Sequence, residues 1–159
     1  TYLSRLGQTA QQSLKEMRLL VYELRPNVLI REGLIGALQQ RLDAVENRAG
    51  VESRLNINGP IQLPPNIEVE LYRIAQEALN NTLKHSSAST AIVQVTKSDS
   101  HLSVTVEDNG KGFDTALLTR SKGIGWSNIQ NRVEFLKGKL DVQSQPGKGT
   151  SVMMDFHNL

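Results

Sequence analysis

The stretch Val106 to Asp114 reads VEDNGKGFD, and its last seven residues hold two glycines and two aspartates. A carboxylate beside such glycines can do one of two things. It can take up local backbone N–H groups in an Asx-turn, or it can accept a hydrogen bond from the amino group of a ligand. Gly110 and Gly112 permit close backbone approach in either case. Two more glycine pairs follow. Ser121 to Asn128 reads SKGIGWSN and precedes a helix, whose free N–H groups suit a phosphate. Pro146 to Thr150 reads PGKGT. None of these is a phosphate-binding G-x-x-x-x-G-K-[ST] loop, and the chain has no G-x-G-x-x-G fingerprint. Taken singly, each glycine pair reads as a turn.

The elements that must position these residues follow from periodicity. Leu102, Val104 and Val106 share one strand face, and Asp108 has the same parity. A carboxylate is thus aimed inward, which is costly unless it is paired. Thr150 shares its parity with Val152, Met154 and Phe156, so a hydroxyl points to the same interior if the strands are neighbours. A helix from about Asn66 to His85 carries Ile67, Leu71, Ile74, Ala78 and Thr82 on one face, with Ala75 and Leu79 alongside. Arg73, Glu77, Asn81 and Lys84 form a second row, centred roughly 110° from the apolar stripe. This polar row at the margin of a core suits a cleft wall, or else an ordinary solvated edge with i, i+4 pairs.

The remaining elements complete the outline. Residues from about Thr1 to Leu24 read as a long amphipathic helix. Leu3, Ala10, Met17 and Leu24 repeat every seven residues, with Leu6 and Leu20 in the seam. Arg25 stands before Pro26, which ends that helix. The seam is expected to pack on a helix outside the chain and on a second copy. A second helix is expected from about Glu32 to Ala49, closed by Gly50, and a strand over Glu52 to Ile57. Two strand pairs are expected: Ala91 to Lys97 with His101 to Asp108, and Lys139 to Gln145 with Thr150 to Phe156. Between the pairs lie a short loop, Asp114 to Lys122, and a helix from about Trp126 to Lys137. Helices with mostly antiparallel strands in this order give an α/β (α+β) two-layer sandwich.

Composition narrows the class. The chain has 159 residues, 38% hydrophobic and 21% charged, as in one ordinary globular domain. A net charge of +2 and 4% aromatic residues argue against a nucleic-acid or membrane partner. The absence of cysteine excludes disulfides and thiolate metal sites and is compatible with a cytoplasmic setting. His85, His101 and His157 show no zinc-type spacing. No apolar run approaches the ~18 residues of a membrane helix. The chain opens in mid-helix without an initiator Met, so it reads as part of something longer.

The order of motifs is more specific than any one of them. QEALNNTLKH on a helix is followed by a strand ending in DNGKGF, then GIG before a helix, then GKGTS into the last strand. This series resembles the ATP-binding domain of sensor histidine kinases, of the GHKL ATPase fold. The upstream run EMRLLVYELRPNVLIREGLIGALQQ resembles the subfamily of nitrate-, antibiotic-stress- and cold-sensing kinases. The resemblance covers nearly the whole chain. It implies that residues 1–25 are the second helix of a dimerisation and phosphoacceptor hairpin. Residues 26–159 would be the catalytic and ATP-binding domain. Asp108 would accept from the adenine amino group, with Thr150 at that carboxylate or at a water beside the base. Asn81 would bind Mg²⁺ through its amide oxygen, with Glu77 holding a metal-bound water. Lys84 and His85 would lie near the phosphates. Gly110 and Gly112 would shape the base end, and Gly123 and Gly125 would let a short lid close over the triphosphate.

One departure stands out. Such kinases phosphorylate a histidine on the first hairpin helix, and no histidine precedes His85 here. The chain therefore reads as lacking its own phosphoacceptor, with ATP and Mg²⁺ as ligands and a response regulator as downstream partner. The parent would be a cytoplasmic homodimer, membrane-anchored or not. His101 and His157 read as surface residues, and His85 as a site residue rather than an acceptor. Two other readings share parts of this pattern. An anti-sigma-factor-type serine kinase has the same ATP fold but needs neither the heptad helix nor the LRP segment. A non-catalytic dimerisation module with a degenerate nucleotide site would not need Glu77, Asn81 and Asp108.

Overall fold

The computed structural model describes residues 2–23, 26–120 and 123–159. The elements among the described residues are α1 (Tyr2–Glu23), α2 (Asn27–Ala49), β1 (Glu52–Asn58), α3 (Pro65–Asn81), a π-helical turn (Thr82–Ser86), β2 (Thr90–Lys97), β3 (His101–Asp108), α4 (Ala116–Arg120), α5 (Ile124–Phe135), β4 (Lys139–Ser144) and β5 (Thr150–His157). The strands form one sheet in the order β1-β2-β3-β5-β4. β2–β3, β3–β5 and β4–β5 are antiparallel. β1 and β2 are parallel, because α3 intervenes and carries the chain back before β2 begins.

Alternation builds the core on one face of the sheet. Ala91, Val93 and Val95 of β2, Leu102, Val104 and Val106 of β3, and Val152, Met154 and Phe156 of β5 are all buried. Leu34, Leu38, Leu42 and Val45 of α2 and Leu71, Ile74, Ala78 and Leu79 of α3 meet them, as do Ile129 and Val133 of α5. The result is two layers, helices over one sheet. Glu70 of α3 is buried, and Arg132 of α5 donates to its carboxylate at 2.5 Å. This pair ties α5 to α3.

Local structure departs from the periodic reading in four places. α2 begins at Asn27 rather than near Glu32, because a helical turn buries Leu29 before Gly33 interrupts it at φ 68°. The third helix is α-helical only to Asn81 and then widens into the π-helical turn, ending at Ser87 with φ 52°. The segment expected to be a loop contains α4, whose Ala116 N–H is capped by the Asp114 carboxylate at 2.9 Å. α5 starts at Ile124, ahead of Trp126.

The described side chains of α1 are solvent-exposed, including Leu3 and Leu6 of the heptad seam. The side chains of Met17 and Leu20, together with Thr1, Leu24 and Arg25, lie outside the described residues. Among the described residues, no helix is long and apolar enough to cross a membrane.

Candidate functional site

Asp108 ends β3 with its side chain on the core side, and both carboxylate oxygens have partners. Oδ1 accepts the Gly110 backbone N–H at 2.8 Å, closing an Asx-turn. Oδ2 lies 3.2 Å from the Thr82 hydroxyl, at the start of the π-helical turn. The hydroxyl is also 3.3 Å from the Ala78 carbonyl. The carboxylate is therefore held by its own loop and by the π-helical turn that follows α3, yet it keeps unused acceptor capacity.

That capacity faces a cavity of about 390 Å³, lined by Asp108, Asn81, Gly112 and Thr150 among others. Its size lies within the roughly 300–1,000 Å³ typical of small-molecule sites. Ala78, Val106 and Val152 supply an apolar lining from α3, β3 and β5. Leu117 and Leu118 of α4, with Phe113 and Trp126, contribute further apolar surface. The Phe113 and Trp126 rings are tilted, 6.0 Å between centroids. An apolar slot with a carboxylate on its wall suits a flat heterocycle bearing an amino group.

The polar row on α3 meets the start of α5. Glu77 and Asn81 stand one turn apart and are half-buried. Gly125 packs so closely on them that a Cβ there would strike the Glu77 carboxylate and lie 3.3 Å from Asn81 Oδ1. Asn81 Nδ2 is buried without a hydrogen-bond partner. An orphaned donor at such a place is a mark of a site that expects a polar ligand. Arg73 is half-buried further back on the same helix, and Lys84 is exposed. Gly123, the N-cap of α5, is also exposed.

The two glycine segments at the other end interlock. Gly112 adopts φ 58°, and a Cβ there would collide with the carbonyl oxygen of Gln145, so glycine is required twice over. Lys111 donates its N–H to Ser86 O and accepts from Gly147 N–H, each at 2.6 Å. Ser144, the last residue of β4, joins the segments through its hydroxyl. Its Oγ lies 2.9 Å from the Phe113 N–H nitrogen, 3.0 Å from the Gly149 carbonyl and 2.9 Å from Thr150 Oγ1.

The expected residues thus fall into groups. Asn81, Asp108, Gly112 and Thr150 line one cavity, with Gly110 buried behind Asp108. Glu77 and Gly125 meet beside Asn81. The Thr150 hydroxyl is engaged with Ser144. The His85 side chain, Ser121 and Lys122 lie outside the described residues. His101 and His157 stack on each other, 4.9 Å between ring centroids, with Asp155 Oδ1 3.0 Å from His101 Nε2. They sit at the opposite end of β3 from Asp108. Sequence reasoning missed Ser86, Lys111, Phe113, Leu117, Leu118 and Trp126 as lining residues. It took Thr82 for core only. A lone hydroxyl on an apolar stripe, one helical turn from Ala78, was the available signal for Thr82. The aromatic pair had none, since the ring contact joins the loop after β3 to α5, far apart in the chain.

Comparison with known proteins agrees with this geometry. Residues 66–158 match the family described as histidine kinase-, DNA gyrase B-, and HSP90-like ATPases. The chain is 33% identical over 152 residues to the signal transduction histidine-protein kinase/phosphatase DegS of Brevibacillus brevis, covering 95% of this chain and 39% of that protein. It is 32% identical over 155 residues to the nitrate/nitrite sensor protein NarX of Escherichia coli, covering 97% and 26%. The chain therefore spans well under half the length of these relatives. Among solved structures, the histidine kinase domain of a blue-light-activated kinase of Erythrobacter litoralis has the same fold, with TM-score 0.64 and 22% identity over 78% of this chain and 59% of that one. Full-length ShkA in complex with AMPPNP also shares it, with TM-score 0.64 and 18% identity over 96% and 39%. Homologous to sensor histidine kinases and built around the cavity just described, the chain belongs to the histidine kinase-, DNA gyrase B-, and HSP90-like ATPase family.

Proposed function

We propose that the chain is the ATP-binding catalytic part of a two-component sensor histidine kinase. It takes the γ-phosphoryl group of Mg-ATP and transfers it to a histidine on a dimerising helical hairpin, for relay to a response regulator. The observation that carries this reading is the Asp108 carboxylate, anchored by Gly110 and Thr82 at the wall of a cavity that Asn81 also lines. No histidine precedes His85, so the acceptor histidine is assigned to a helix outside this chain.

The roles follow from the chemistry of each group. Asp108 receives a hydrogen bond from the adenine amino group, and the apolar walls take the ring. Glu77 and Asn81 offer the hard oxygen donors that Mg²⁺ requires. Their close approach to Gly125 and the unpaired Asn81 amide fit a site completed by phosphate oxygens and water. Bound Mg²⁺ would neutralise charge on the phosphates during in-line transfer. Lys84 and His85 would lie beside the triphosphate, with Lys84 adding positive charge. Gly123 and Gly125 would let the α5 start close on it. Rate enhancement then rests on positioning and charge neutralisation. α1, with its exposed Leu3 and Leu6, is the second hairpin helix and the route to a homodimer. The site works in the cytoplasm.

The test is transfer in trans. This chain is mixed with γ-labelled ATP and an added intact hairpin that carries the acceptor histidine. Label on the hairpin, lost when Asp108 becomes Asn, supports the proposal. Intact nucleotide binding without any transfer overturns the kinase assignment.

A further inference from the structure

Ser144 has a place beside this cavity that its sequence neighbourhood does not suggest. Its hydroxyl has one hydrogen and two lone pairs. The Gly149 carbonyl, 3.0 Å away, can only accept, so the Ser144 hydrogen goes there. The Phe113 N–H, at 2.9 Å, brings its own hydrogen to one lone pair. The remaining contact, 2.9 Å to Thr150 Oγ1, needs a hydrogen between the two oxygens, and only Thr150 has one left to give. All three bonding positions of Ser144 are then filled. Thr150 has spent its single hydrogen and keeps only lone pairs.

Thr150 lines the cavity and stands opposite Asp108 in the sheet register. Asp108, when ionised, is also an acceptor only. Two neighbouring acceptors with no hydrogen of their own make a wall that welcomes a donating edge and repels an accepting one. We infer that Ser144 is a positioning residue for base selectivity: it fixes Thr150 as an acceptor, so that the cavity prefers a base with an exocyclic amino group over one with an oxo group at that edge. This rests on the nucleotide-binding reading above and adds to it the residue that sets the polarity of the wall. Ser144 does not line the cavity and acts only through Thr150 and the Phe113 backbone.

The experiment is calorimetric titration of ADP and GDP into this chain, as wild type, Ser144→Ala and Ser144→Thr. The wild type should prefer ADP. Ser144→Ala frees the Thr150 hydrogen to donate, so the ADP-to-GDP preference should fall about tenfold, the worth of one hydrogen bond. Ser144→Thr keeps a hydroxyl in place and should restore the preference. A Ser144→Ala variant that weakens both nucleotides equally, or a wild type without preference, overturns the inference and leaves nucleotide binding standing. A folded wild type that binds neither nucleotide overturns the nucleotide reading, and the inference with it. If Ser144→Ala does not fold, Thr150→Val decides. A larger loss for ADP than for GDP supports an acceptor role, and an equal or larger loss for GDP refutes it.

Discussion

Thr150 is the direct cross-strand partner of Asp108 in the β3–β5 pairing, and both side chains reach the same cavity. The pairing converts two residues far apart in the chain into one polar wall, while Val106 and Val152 pair two residues further in and carry the apolar lining.

Replacing Asp108 by Asn separates binding from folding. The amide oxygen can still accept the Gly110 N–H, and the amide nitrogen can donate to Thr82, whose hydroxyl can turn to Ala78. Melting by circular dichroism should change by only a few degrees. A donor now faces the amino group of the base. Affinity for ADP should fall about 10–100-fold, the cost of losing a charge-assisted hydrogen bond.

Asn81→Ala removes a buried amide nitrogen that has no partner. Its loss should therefore cost little stability, under about 1 kcal/mol in urea unfolding. Titrations of ATP with and without Mg²⁺ should give the same affinity for this variant, whereas the wild type should bind more tightly with the metal.

Gly125→Ala tests the close approach at the start of α5. Alanine favours a helix over glycine by up to ~1 kcal/mol, and the clash falls on the mobile end of Glu77 rather than on backbone. The variant should melt at or slightly above the wild-type temperature. Glu77 must nevertheless shift, so phosphoryl transfer to an added hairpin should drop at least about tenfold.

The Glu70–Arg132 pair should be asymmetric. Glu70 is 6% exposed and Arg132 33%, so removing the arginine strands a buried carboxylate, whereas removing the glutamate leaves a cation that water reaches. Arg132→Ala should cost about 3 kcal/mol in urea unfolding and Glu70→Ala clearly less. Equal costs would mean that both charges are comparably solvated once unpaired.

Trp126 is the single tryptophan and lies half-buried against the cavity near Phe113. Its emission should therefore change on addition of Mg-ADP, and the change should disappear in Asp108→Asn at the same nucleotide concentration.

Much of the site was legible in residue order because periodicity acts locally. Strand parity aimed Asp108 and Thr150 inward, and helical spacing set Glu77 and Asn81 one turn apart at the edge of the α3 stripe. The ordered glycine motifs marked which family of fold would use them. The misses have physical causes. The kink at Gly33 and the π-helical turn after Asn81 are set by packing, since Leu29 and Ser86 are buried there. α4 is a five-residue helix capped by Asp114, too short to show a period. Parallel pairing of β1 with β2 depends on where α3 returns the chain, which no strand pattern encodes.

What the sequence by itself determined is therefore the set of inward-facing groups and the backbone freedom around them. Both are properties of a residue and its near neighbours. Only the tertiary structure decided which of those groups meet. The sheet register sets Thr150 against Asp108. The α3–α5 packing brings Gly125 onto Glu77. The end of β4 delivers Ser144 to Phe113, Gly149 and Thr150 at once. Those meetings depend on the relative placement of whole elements, fixed by burial of the common core and by no local signal in the chain.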